Sequence, residues 1–193
     1  MMKVLSVLGS PRKNSNSEVL ANAAVAALPQ AGLEVKTVKL NDLNFCGCQA
    51  CFSCKAKSET CVVRDDLSPV LAQIPEADLV ILASPIFIGE LTGQAKCFID
   101  RTFSFLMPDY TANPNPSRLS PGKKMLIILT QGVPDAAIYE TSVLGNYTGF
   151  FKGLGFEVSH FIAPGQGPAD DIRTKNPDLV KALTAQVSKL ATN

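Results

Sequence analysis

Three near-continuous apolar runs of strand length, at residues 3–8, 79–83 and 125–129, restrict the folds open to this chain more than any other feature. Runs that do not alternate with polar residues are the mark of parallel strands covered on both faces. A fourth run spans 156–162, and a fifth segment, 33–40, carries Glu34, Lys36 and Lys39 among its apolar residues. The fifth reads as an edge strand with one wetter face. Helical patterns fill the spaces between. In 17–28, Leu20, Ala24, Ala27 and Leu28 recur at helical spacing. After Asp66, Leu67, Val70, Leu71 and Ile74 share one face. In 92–105 the stripe is Ala95, Phe98, Ile99 and Thr102. A longer pattern covers 136–154 and is closed by Gly153 and Gly155. The last helix opens on Asn176-Pro177-Asp178 and presents Leu179, Leu183, Val187 and Leu190.

Strands alternating with helices predict a doubly wound α/β sheet with right-handed crossovers and helices on both faces. Five parallel strands suit the flavodoxin-like order 2-1-3-4-5. With 193 residues, 46% hydrophobic and 18% charged, the chain is expected to form a single domain over 1–193. Two stretches lack regular patterning: a cysteine-rich loop at 41–64 and a proline-rich one at 107–122. A net charge of +1 excludes a strongly basic nucleic-acid binder and gives no reason to expect an acidic membrane surface as partner. No apolar run approaches the roughly 18 residues of a membrane span. The N-terminal run is too short for a signal peptide, so the cytoplasm is expected.

Ligands of such sheets sit beyond the carboxyl ends of the strands, near the switch point. After the first strand comes Gly9-Ser10-Pro11-Arg12-Lys13-Asn14-Ser15-Asn16-Ser17. A helix begins here, so backbone amides and dipole favour an anion. Ser10, Ser15, Asn16 and Ser17 add short polar side chains, and Arg12 and Lys13 add charge, which suits a phosphate monoester. The loop is neither a Walker loop nor a three-glycine dinucleotide fingerprint. After the third strand, Ser84-Pro85-Ile86-Phe87-Ile88-Gly89-Glu90 offers an apolar segment for a flat ring. After the fourth, Thr130-Gln131-Gly132-Val133 offers a polar turn. Together the three openings fit FMN.

These residues, with Asp100-Arg101 and a cysteine-rich loop ending in Arg64-Asp65-Asp66-Leu67, resemble the NAD(P)H-dependent FMN reductase family, and within it the iron–sulfur flavoproteins. The resemblance implies phosphate contacts from Ser10, Arg12, Asn16 and Ser17. It implies ring and ribityl contacts from Pro85, Ile86, Phe87, Ile88 and Gly89, with Thr130, Gln131 and Gly132 along the ring's other edge. It also implies an oxidoreductase fed by NAD(P)H or ferredoxin, as a homodimer or homotetramer. Cys48, Cys51, Cys54 and Cys61 form C-x2-C-x2-C-x6-C, a spacing at which three thiolates wrap one face of an iron–sulfur cube and a fourth arrives from a longer loop. In the iron–sulfur branch four such cysteines hold a 4Fe–4S cluster. Redox-active thiols and zinc are the other readings of the same residues, and Cys46 blurs which four would act. Two rivals to the oxidoreductase follow: a flavodoxin-like electron carrier without its own substrate, and a zinc-binding module without redox chemistry.

The remaining polar residues read as structural. Asp65 and Asp66 cap the helix that follows, Asp100-Arg101 lies on a helix, and His160 has no second histidine to work with. Cys97 reads as a small buried side chain, Lys123-Lys124 as a solvated start to a strand, and Asp170-Asp171 as surface loop.

Overall fold

Every apolar run becomes a strand in the computed structural model, which describes residues 1–167 and 171–190. The strands are β1 (Met2–Leu8), β2 (Leu33–Lys39), β3 (Leu79–Phe87), β4 (Glu90–Leu91), β5 (Lys123–Thr130) and β6 (Phe156–Ala163). The long strands are all parallel and lie in the order β2-β1-β3-β5-β6, the flavodoxin-like succession expected from the sequence. The addition is β4, which folds back antiparallel on the end of β3 through Ile86–Leu91 and Phe87–Glu90 pairs. Residues 85–87, expected in a loop beyond the strand, therefore continue β3, and Pro85 pairs with Thr130 across the sheet.

The helices are α1 (Asn16–Ala26), the single turns α2 (Ser53–Ala56) and α3 (Ser68–Leu71), then α4 (Gly93–Thr102). Further on, α5 (Ala137–Tyr139) runs through a wide π-type turn at Glu140–Leu144 into α6 (Gly145–Gly153). Beyond β6 come α7 (Asp171–Thr174) and α8 (Pro177–Leu190). Asp170 lies outside the described residues.

The inner strands split their side chains between two cores, as a two-sided sheet requires. Leu5, Val7, Val80, Leu82, Met125 and Ile127 face the side of α4 and α6, packing with Phe98, Ile99 and Phe151. Val4, Leu8, Leu79, Ile81, Leu126 and Ile128 face α1 and α8, packing with Leu20, Ala24, Leu183 and Val187. β2 is wetter than expected: Glu34, Val35, Lys36 and Thr37 are all exposed and only Val38 is buried. Lys123 overturns the solvated reading. It is buried, and its ammonium donates to the carbonyls of Pro75 (2.6 Å) and Ala77 (2.9 Å), closing the carboxyl end of a short turn where a cation is favoured. No helix among the described residues is long and apolar enough to cross a membrane.

Candidate functional site

The register brings the carboxyl ends of β1, β3 and β5 side by side: Leu8 opposite Ala83, and Ser84 and Pro85 opposite Leu129 and Thr130. Gly9 turns the chain out of β1 where nothing larger fits, since a Cβ there would stand 2.9 Å from Ala95 Cβ. Its amide donates to Ala83 O (2.8 Å), and Thr92 Oγ1 donates to its carbonyl (2.7 Å). The loop then reaches Ser15, the cap of α1, whose hydroxyl accepts from the Glu18 amide at 3.2 Å. Glu18 reaches back to the Asn14 amide (3.0 Å), a variant of the capping box. Its charge is matched by Lys39 at 2.7 Å. The Glu18 carboxylate at the start of α1 is thus paired, whereas Arg12 has no carboxylate partner among the described residues.

A pocket of about 160 Å³ opens at these ends, lined by Ser10, Arg12, Ser15 and Asn16, by Pro85, Ile86 and Phe87, by Thr130, Gln131 and Gly132, and by Gln166 and Gly167. Nine of the twelve residues expected to contact FMN thus meet around one cavity, drawn from the carboxyl ends of three strands and the turns that follow them. Ser17, Ile88 and Gly89 are outside its lining. The Ser17 side chain is buried inside the first turn of α1, 3.1 Å from the Ser15 hydroxyl. Ile88 and Gly89 form the tip of the β3–β4 hairpin, and Ile88 is fully exposed. Asn16 does line the cavity, and its Oδ1 also accepts from the Ile172 amide at 3.4 Å. Gln131 is buried with both amide hydrogens committed, to Val133 O (3.0 Å) and Asp135 O (2.8 Å). Its Oε1 has no partner among the described residues. A buried acceptor on a residue that lines a pocket suits a ligand that brings an N–H donor. The fit to FMN therefore rests on Arg12, hydroxyls at a helix start, an apolar strand end and a carbonyl oxygen that has no partner among the described residues.

Gln166 escaped the sequence reading because it follows β6, one strand beyond the switch point. Its amide donates to Gln131 O (2.7 Å), which folds the segment after β6 over the cavity. A glutamine in a Gly-rich turn carries no signal until that contact is seen.

The cysteine loop borders a larger cavity of about 500 Å³, whose wall includes Cys48, Cys51, Cys54 and Cys61 together with Phe103, Phe150, Tyr147 and Arg101. Cys46 and Cys97 are not part of the wall. Cys46 turns toward Asp65, and Cys97 Sγ packs under the loop, 3.1 Å from where a Cβ on Gly47 would be. All six thiols are free, and among the described residues no three potential ligands converge on a single ion-sized point. The loop holds Ala50 and Phe52 in the left-handed region, at φ of 48° and 53°. Such residues bend the backbone into the concave amide nests found around anions and iron–sulfur groups. Hydrogen bonds from the Ser53 amide and hydroxyl lower the Cys51 thiol below its ordinary pKa. The wall and the donor set thus fit a polynuclear thiolate-bound cluster.

Arg101, read as an ordinary helical residue, is the anchor of this loop. Its guanidinium is fully buried and pairs with Asp65 at 2.8 Å. It also donates to the carbonyls of Cys46 (3.0 Å) and Val63 (3.2 Å). Burial would raise the Asp65 carboxyl, but Arg101 and the amides of Cys46 and Leu67 outweigh it and hold it below the usual range. Neither Asp65 nor Asp66 caps α3 as expected: the N-cap is Leu67 with no side-chain cap bond, Asp65 Oδ1 accepts from the Leu67 amide (3.1 Å) before the helix, and Asp66 accepts from the Asn44 amide (2.8 Å). Tyr147, buried on α6, donates to Glu90 Oε1 at 2.8 Å, and burial and that carboxylate push its phenol pKa well up. His160 stands half exposed on β6, 3.7 Å from Glu140 and away from both cavities.

Comparison with known proteins agrees with this geometry. An iron–sulfur flavoprotein of Archaeoglobus fulgidus is 40% identical over 104 residues, which is 54% of this chain and 47% of that protein. The chain spans about half the length of the curated iron–sulfur flavoproteins it matches. An FMN-dependent NADH:quinone oxidoreductase of Leptothrix cholodnii is 28% identical over 99% of both chains. The fold also superposes on an FMN-dependent NADH-azoreductase of Bacillus anthracis solved with FMN, with a TM-score of 0.73 at 18% identity, covering 98% of this chain and 99% of that one. The model of one family, NADPH-dependent FMN reductase, matches residues 2–144, which include most of the pocket lining, and the chain belongs to that family.

Proposed function

We propose that the chain is an FMN-dependent oxidoreductase of the NAD(P)H-dependent FMN reductase and iron–sulfur flavoprotein type. It passes electrons from NAD(P)H or ferredoxin to an acceptor through FMN and a 4Fe–4S cluster on Cys48, Cys51, Cys54 and Cys61. The observation that carries the reading is one pocket at the switch point that combines Arg12, which has no carboxylate partner among the described residues, the Ser10 and Ser15 hydroxyls, an apolar strand end and a Gln131 Oε1 without a partner among the described residues.

FMN, when bound, supplies the electron chemistry, and the protein supplies position and electrostatics. Ser10 and Arg12 take the phosphate, with Asn16 and the first turn of α1. Pro85, Ile86 and Phe87 offer one wall to the ring. Thr130, Gln131 and Gly132 would border its polar edge. Cys48, Cys51, Cys54 and Cys61, which share one cavity wall, would hold the cluster, and it would supply a one-electron path when bound. Without a dinucleotide fingerprint, NAD(P)H docks transiently over the exposed ring face. Exposed Phe87 and Ile88 beside the flavin pocket, and Phe52 and Val62 at the cysteine cavity, favour burial against a second copy as homodimer or homotetramer. Six free thiols suit a reducing cytoplasm.

Protein prepared without oxygen is expected to show flavin and iron–sulfur absorption together and to oxidise NADH or NADPH. Arg12→Ala should weaken FMN binding at least tenfold, the loss of one charge-assisted contact of about 1.5–3 kcal/mol. Wild-type protein that takes up no FMN would sink the reading. Reduction by ferredoxin without nucleotide turnover would make the chain a carrier instead.

A further inference from the structure

We propose that Arg101 and Lys55 are positioning cations of the cysteine site, each donating to a ligand sulfur and together raising the reduction potential of the cluster held there. The inference rests on the four-cysteine reading above. It comes from a count of donors.

A guanidinium has five N–H groups. In Arg101, Nη1 serves Asp65 and Cys46 O, and Nη2 serves Asp65 (3.3 Å) and Val63 O. These four bonds are enough to pin the loop to α4. The fifth, from Nε, goes to Cys61 Sγ at 3.1 Å. Lys55 repeats the arrangement on the other side. Its three N–H groups serve Phe103 O (2.7 Å), Leu106 O (2.8 Å) and Cys54 Sγ (3.5 Å), with the ammonium 4.1 Å from the centre of the Phe103 ring.

Each cation is held by fixed protein acceptors and spends one donor on a sulfur. A neutral thiol is a weak acceptor, and a loop that needed only anchoring would gain little from it. Sulfur carrying the charge of a thiolate-bound cluster is a far better partner. Adding one electron to such a group makes it one unit more negative with no proton taken up. Fixed cations and N–H···S bonds stabilise that reduced form, and both are recognised levers on cluster potential. Arg101 has no exposed surface, so water screens its effect little.

The test is a redox titration of the iron-loaded protein, followed by electron paramagnetic resonance, for wild type, Arg101→Lys, Arg101→Gln and Lys55→Gln. Iron content is measured in each. The expected result is a midpoint moved to more negative potential in Arg101→Gln and, by a smaller amount, in Lys55→Gln, with Arg101→Lys between wild type and Arg101→Gln. Lys55→Gln leaves the Asp65 pair intact and so decides the question if Arg101→Gln does not fold. Iron-loaded variants with the wild-type midpoint overturn the proposal while leaving the cluster reading standing. Folded variants that hold no iron where wild type loads fully overturn it too, because the cations would then govern assembly rather than potential. A wild type that takes up no iron on anaerobic reconstitution fails the cluster reading itself, and the proposal falls with it.

Discussion

Asp65 illustrates how little a residue's neighbours in sequence reveal about its charge partner. Its spacing from Leu67 and Ser68 announces a helix cap, but the N-cap position is Leu67 with no side-chain cap bond, and Asp65 instead braces the turn before α3, its Oδ1 accepting from the Leu67 amide at 3.1 Å. Its second task, neutralising Arg101 from 36 positions away, is invisible until the loop closes on α4. Removing one partner of a buried pair leaves an uncompensated charge, so Asp65→Asn is expected to cost about 3 kcal/mol in urea unfolding. The pH dependence follows from the direction of the shift. Arg101 holds the folded-state carboxyl below its unfolded value of about 3.9. The pair's contribution is therefore full above about pH 4 and is lost as pH falls through the lower folded value. Urea midpoints measured between about pH 7 and pH 3 should drop at the acid end in wild type and change less in Asp65→Asn. Equal acid slopes would remove Asp65 from the account.

Among the elements, the β3–β4 hairpin departs most from expectation. Its two-residue turn, Ile88-Gly89, has positive φ at both positions (52° and 77°), the type I′ geometry that Asn-Gly usually fills. A β-branched residue in the left-handed region costs roughly 1–2 kcal/mol, and fully exposed Ile88 recovers nothing by packing within this chain. Ile88→Asn is expected to raise Tm by about 2–4 °C. FMN affinity should hold, because the side chain is outside the pocket lining. An affinity loss would return Ile88 to the ring contacts that the resemblance implies. The apolar run ends at Ala83 and the segment after it reads as loop, whereas pairing with β5 carries the strand to Pro85 and pairing with β4 carries it on to Phe87. The 136–154 pattern was legible as a helix with its glycine end. The π-type turn at Glu140–Leu144 was not, since the polar run of Glu140, Thr141 and Ser142 gives no period to contradict.

At the scale of the whole molecule, a ligand that bridges β1, β3 and β5 ties three loops to one sheet edge. FMN at about a hundred times its dissociation constant should stabilise the folded chain by about 2.7 kcal/mol, a Tm rise of about 5–10 °C. Riboflavin, which lacks the phosphate, should give a clearly smaller shift at the same concentration. Equal shifts would show that Arg12 and the start of α1 do not read the phosphate.

The five long strands, their order and both apolar faces were determined by the sequence itself, because runs such as 79–83 and stripes such as Leu179, Leu183 and Val187 bury without reference to distant residues. The same holds for the three openings at the switch point, which follow from strand order alone. Tertiary structure decided the rest: which four cysteines share a wall, that Asp65 belongs to Arg101, that Lys123 is buried, and that Gln166 closes the pocket. Periodicity encodes which side of an element meets the core. Hydrogen bonds and ion pairs between loops far apart in the chain depend on distances of a few ångströms, and those are settled only when the sheet brings the loops together.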